Sequence, residues 1–117
     1  MGGNPETAFA VRRAAGSTWH VDIENRGARA TEAFLETEED ANRFLLMRLG
    51  VIWRFQQGFD DGFPAQADPG VVISEEGSVY AVRWNGRGAA IAAERRAIRY
   101  SHIVDEPLAR ISARLMT

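Results

Sequence analysis

Asn85-Gly86 lies between two short apolar-rich runs, residues 79–84 and 88–93. An Asn-Gly link closes a tight hairpin, because both of its residues accept positive φ. Strands joined this closely must run antiparallel, since parallel neighbours need a crossover of a dozen or more residues. The same economy recurs along the chain. Glu75-Glu76-Gly77-Ser78 separates Val71-Val72-Ile73 from the run at 79, so residues 71–93 read as a three-stranded meander. Ala15-Gly16-Ser17 parts a strand over residues 7–14, built around Phe9 and Val11, from the clearest strand, 18–24. There Trp19, Val21 and Ile23 share one face, and His20, Asp22 and Glu24 share the other. Asn25-Arg26-Gly27 then turns into a strand over residues 30–36, with Phe34 expected inward.

Two segments carry helical spacing. Thr37 precedes Glu38-Glu39-Asp40, which sets a capping hydroxyl and three acids at a positive helix end. Ala41, Phe44, Leu45 and Leu49 form the expected apolar stripe, widened by Met47, and Gly50 is read as the stop. Asp105-Glu106-Pro107 is read as the start of a last helix, with Asp105 as cap and Leu108, Ile111 and Leu115 as its buried stripe. Residues 94–101 read as a short helical turn, and residues 1–6 as a frayed tail. The expectation is one α+β domain over residues 1–117: an antiparallel sheet of about six strands with two helices packed on one face.

Residues 55–64 belong to neither pattern. They hold three phenylalanines, two adjacent aspartates, two glycines and a proline. Glycine and proline break helix and strand alike, so this is a loop. Aromatics beside unpaired acids in a loop have the composition of a contact surface. Trp53, Gln57, Phe59, Asp60, Asp61 and Phe63 are the candidate partner-binding residues. The phenylalanines would act as anchors, and the aspartates would meet basic groups.

Chemistry that makes or breaks bonds has little support. There is no cysteine, which removes disulfides, thiolate nucleophiles and thiolate metal sites. His20 and Asp22 share a strand face, an arrangement that is usually structural. Ser101 and His102 are adjacent, whereas a triad is assembled from distant segments. Asp60, Asp61 and Asp68 lack the alternating acids of a calcium loop. Gly86-Arg87-Gly88 is explained by its hairpin. No catalytic residue, metal or cofactor is therefore expected. The net charge of −2 and the scattered arginines argue against nucleic acid. No apolar run approaches a membrane span. No signal peptide is visible, so a cytoplasmic location is expected. Acids outnumber arginines nine to five between Asp22 and Asp61, and arginines outnumber acids seven to three from Arg83 onward. An acidic patch for a basic partner fits that asymmetry, although solvated faces and salt bridges explain it as well.

One further pattern emerges from the order of segments. Phe44 opens a helix that reaches Leu49-Gly50, with Arg54 four residues on. Gly70-Val71-Val72-Ile73, then Trp84-Asn85-Gly86, then Ala97 and Ser101, then Leu108 and Ile111 follow. This order resembles the immunity-protein-sixty-one family of bacterial polymorphic toxin systems, and is similar in plan to the antitoxin of tuberculosis necrotizing toxin. The resemblance implies a non-catalytic cytoplasmic protein that binds and blocks a cognate secreted toxin. It also implies that an NAD-consuming toxin is one candidate, because the necrotizing toxin is an NAD glycohydrolase. A monomer or weak dimer is expected when free. The alternative is a non-catalytic adaptor or secretion chaperone, whose partner need not be toxic. A small enzyme using His20 or His102 is the third reading.

Overall fold

The computed structural model of the chain describes residues 7–115; the tail expected over residues 1–6 lies outside them. Strands β1 (Thr7–Arg13), β2 (Trp19–Asn25) and β3 (Ala28–Leu35) form one meander, and β4 (Val72–Glu76), β5 (Val79–Trp84) and β6 (Arg87–Ile91) form a second. The sheet order β1-β2-β3-β6-β5-β4 joins the two. At the seam Ala33 faces Ile91, Phe34 faces Ala90 and Leu35 faces Ala89. All pairings are antiparallel, and Asn85 and Gly86 take φ of +47° and +75° in the hairpin between β5 and β6. Three helices, α1 (Glu38–Gln56), α2 (Glu94–Ser101) and α3 (Leu108–Leu115), complete an α+β fold. The short turn expected at residues 94–101 is thus a helix in its own right.

The sheet face under the helices carries Val21, Ala33, Ile91, Leu35 and Val82, all buried. Phe34, expected inward, is on the opposite face. Strand alternation admits only every second residue to the core, and Ala33 and Leu35 hold those places. Phe34 instead stands edge-on to His20, with 4.6 Å between ring centroids. Asp22, expected on a polar face, is 2% exposed. It accepts from Arg12 Nε at 2.6 Å and from the Thr31 hydroxyl at 2.8 Å.

A bulge separates Val21 from Asp22, whose partners on β3 are Ala33 and Thr31. Glu32 therefore has no partner on β2, and a bulged residue is free to aim elsewhere. Its two carboxylate oxygens receive Arg48 Nε and Nη2 of α1, at 2.7 and 3.3 Å. Both side chains are buried, so this pair ties helix to sheet in a setting where water does not compete.

Helix α1 starts as expected: the Thr37 hydroxyl accepts the Asp40 N–H at 3.0 Å. It does not stop at Gly50. A Cβ at that position would lie 2.7 Å from Cβ and Cδ1 of Leu115. The glycine is there for close approach of α3, which packs on α1. Gly50→Ala should therefore destabilise the protein. Overpacking costs about 1–3 kcal/mol, which outweighs the roughly 1 kcal/mol that alanine gains in a helix interior. Urea melts would check this, and a stabilised variant would refute it.

Two more expectations change for related reasons. The buried residues of α1 include Ala41, Phe44, Met47 and Val51, while Leu45 is only half-buried and Leu49 is 39% exposed. Asp105 does not cap α3. Its carboxylate instead accepts from Asn85 Nδ2 at 3.0 Å and lies 3.7 Å from Arg87. The Pro107 carbonyl takes the Arg110 and Ile111 N–H groups at the start of α3.

Candidate partner-binding surface

The loop singled out in the sequence begins as the end of a helix. Phe55 and Gln56 are the last residues of α1, and Gln57 closes it. Gly58 follows at φ +80°, a conformation that side chains disfavour. Its N–H donates to the Phe55 carbonyl at 3.1 Å, and the Phe59 N–H donates to the Arg54 carbonyl at 2.8 Å. These bonds form a Schellman cap, which satisfies carbonyls the helix would otherwise leave open. The hydrophobic contact that accompanies such caps is Phe59 against Trp53, with 6.1 Å between ring centroids. Arg54 folds back over the same turn. Its guanidinium lies 5.4 Å from the Phe59 ring centroid, and its Nε donates to the Asp60 carbonyl at 2.8 Å.

The two aspartates then part company. Asp60 points outward; its Oδ1 receives the Gly62 N–H at 3.0 Å and lies 3.4 Å from Arg54 Nη2. Asp61 turns inward. One oxygen receives the Phe63 N–H at 3.0 Å; the other receives Arg95 Nη2 at 2.5 Å and Arg99 Nε at 2.8 Å. Both arginines belong to α2, so Asp61 pins the loop to a second helix. Phe63 is 9% exposed and sits in the core, with the Arg114 guanidinium 5.1 Å from its ring centroid.

The six candidate residues therefore fall into two groups. Gln57, Phe59 and Asp60 are exposed and Trp53 is half-buried, so these four share an accessible knuckle. Asp61 and Phe63 are its fastening. Phe55, 61% exposed, joins the knuckle beside Phe59 at 44%. Phe55 is in the loop read from the sequence but not among its candidate site residues; its exposure follows from its place on the last turn of α1. Of the arginines that matter here, Arg54 enters the sequence reading only through its spacing after Gly50, and Arg95 and Arg99 give no local signal.

Burial pushes the Asp61 carboxyl up, but the bonds from Phe63, Arg99 and Arg95 prevail and hold it below the ordinary 3.8. A carboxylate lowered on folding contributes stability above its unfolded pKa and loses it as pH falls through the folded one. Loop anchoring is thus complete at neutral pH and fades only below about pH 4. The protection of the Gly62 and Phe63 amides, measured against the intrinsic exchange rate at each pH, is expected to fall in that acid range before α1 melts. In Asp61→Asn the Phe63 amide should be less protected already at pH 7, and its protection should change little on acidification. Equal exchange in both proteins at neutral pH would show that the clamp does not hold the loop.

The residues weighed for catalysis are otherwise engaged. Arg12 stands between His20 and Asp22, with Nη2 2.8 Å from His20 Nδ1. The Ser101 hydroxyl donates to the Ile98 carbonyl at 2.6 Å and accepts the Asp68 N–H at 2.9 Å. His102 Nε2 lies 2.7 Å from the Gln66 carbonyl. Among the described residues no group of three or more histidines or acids is placed to hold a metal ion, and no helix is long and apolar enough to cross a membrane.

Comparison with known proteins places this geometry. The chain superposes on the solved structure of Rv3902c from M. tuberculosis with a TM-score of 0.74, over 98% of this chain and 71% of that one. Sequence identity is 15%, so the likeness is one of fold. No curated protein matches the sequence. A family model does, from residue 2 to residue 116, and by that match the chain belongs to the family described as immunity protein 61.

Proposed function

We propose that the protein is a cytoplasmic immunity protein that binds a cognate toxin domain and blocks its active site. Membership of an immunity family over nearly the whole chain carries the antitoxin role in general. The knuckle at the end of α1 supports the finer reading. Trp53, Phe55 and Phe59 supply aromatic anchors, the residue type that dominates interface energetics. Gln57 and Asp60 supply polar contacts at the rim; the Asp60 side chain is exposed although one of its oxygens meets Arg54. An exposed carboxylate beside aromatic anchors suits a basic group at the rim of a pocket that binds an anionic substrate, NAD among them. Asp61 and Phe63 serve the same surface from beneath by holding the loop in shape, so little ordering entropy is lost on binding.

An inhibitor that protects its own cell must release slowly. Tight immunity complexes reach about −16 kcal/mol, which an interface of about 1,600 Å² can provide. The test is growth of a host expressing the toxin-like domain encoded beside this gene, with and without this protein. Rescue with co-purification of the two chains is expected. A neighbour that is harmless by itself yet co-purifies would indicate an adaptor or secretion chaperone. Toxicity with neither rescue nor complex would refute the immunity reading for that pair.

A further inference from the structure

Among the described residues no strand pairs with the outer edge of β1. Edge strands are commonly protected by charge, proline or a bulge. The opposite edge, β4, carries Glu75 and Glu76. β1 pairs with β2 at seven consecutive positions without a bulge, and its middle residues Ala8, Phe9, Ala10 and Val11 hold neither charge nor proline. Beside it, α1 turns a second apolar stripe away from the core. Leu45, Leu49 and Ile52 follow helical spacing, and together with Phe9 they line a groove of about 600 Å³. A solvated helix face would carry polar residues at those positions.

We infer that this face joins two copies of the chain, with β1 adding antiparallel to β1 of the second copy about a two-fold axis at Ala10. The strand is self-complementary in that register. Phe9 falls opposite Val11, and Val11 opposite Phe9, giving two aromatic–β-branched pairs on the helix side of the sheet. Arg12 falls opposite Ala8 and Arg13 opposite Thr7, so no like charges oppose each other. Arg12 is also neutralised within its own chain by Asp22, at 2.6 Å. A two-fold contact brings the same patch onto itself, and β1 meets its copy with apolar residues at the centre and its arginines at opposite ends. The sheet would continue across the axis, and the two grooves would cover one another. The inference does not rest on the toxin reading.

The chain contains no cysteine, so Ala10→Cys would introduce a single thiol at the axis. Directly opposed antiparallel residues stand about 4.5–5.5 Å apart at Cα, inside the range of about 4.4–6.8 Å that a disulfide spans. Mild oxidation of dilute Ala10→Cys is expected to give a covalent dimer, while Ser74→Cys on β4 stays monomeric. Wild type at tens of micromolar should sediment at twice the 13.0 kDa chain mass. Leu49→Arg, verified as folded by circular dichroism, should weaken the dimer at least about tenfold. A monomeric wild type with no preference for the Ala10 cross-link overturns the inference. So does a dimer that forms only after residues 1–6 are deleted, which would assign the groove to the chain's own tail. Loss of toxin binding in Leu49→Arg against a monomeric wild type would assign it to the toxin, again overturning it. A confirmed dimer that fails to rescue cells would leave this inference standing and count against the immunity reading alone.

Discussion

Asp40→Ala is expected to cost about 3–5 kcal/mol of folding stability, the cost of breaking a buried ion pair from one side. Asp40 is fully buried at the start of α1 and is held from four directions. Its N–H donates to Thr37, and its carbonyl accepts the Tyr100 hydroxyl at 3.2 Å. One carboxylate oxygen receives Arg43 Nη1 at 2.9 Å, and the other receives Arg87 Nη2 from β6. Removing the carboxylate leaves Arg43, itself buried, with the Glu106 carbonyl at 2.7 Å and an exposed Glu39 at 3.4 Å. Those contacts do not replace a buried counter-charge. With domain stability of about 5–15 kcal/mol, the variant would sit near the edge of folding. Urea unfolding would measure it, with Glu39→Ala as control. That exposed partner should cost within about 0.5 kcal/mol. A loss below about 1 kcal/mol for Asp40→Ala would mean that the arginines find other partners.

On the proposed toxin contact, Phe55→Ala combined with Phe59→Ala should leave the fold intact and loosen the complex at least about a hundredfold. Exposed aromatic anchors that become buried in a complex are typically worth 2 kcal/mol or more each, and about 1.4 kcal/mol is one decade of affinity. The ring contacts that the free protein loses are Trp53–Phe59 and the packing of Arg54 on Phe59, both on partly exposed rings. Phe63→Ala, four residues on, should behave in the opposite way. It removes a core ring and should cost about 3–5 kcal/mol of stability. Binding titration and thermal melts on the three proteins would separate surface from core. A double variant that binds as tightly as wild type would remove the knuckle from the interface.

The contrast between Phe59 and Phe63 shows where sequence reasoning ran out. Both lie in one loop of one composition, and the loop itself was legible from its glycines and proline. Which ring points outward depends on Arg95 and Arg99, more than thirty residues away, which pull Asp61 under the loop. Gly50 misleads for a similar reason. A glycine after a helical stripe looks like a stop unless the approach of Leu115 is known. With the helix carried on to Gln56, Gly58 becomes the terminating glycine, and the Schellman cap could have been anticipated.

Local signals, by contrast, served well. The turns at residues 15–17, 25–27, 77–78 and 85–86 dictate short connections, and short connections dictate antiparallel pairing, so the α+β class and the two meanders follow from the sequence alone. The family resemblance also lies in the order of those segments. Only the tertiary structure decided the seam between β3 and β6, the bulge that turns Glu32 to Arg48, and the division of residues 55–64 into knuckle and fastening. Turn chemistry and periodicity act between near neighbours and are written in consecutive residues. Side-chain direction at a bulge, close approach of helices and the pairing of buried charges are settled by groups that meet only once the chain has folded.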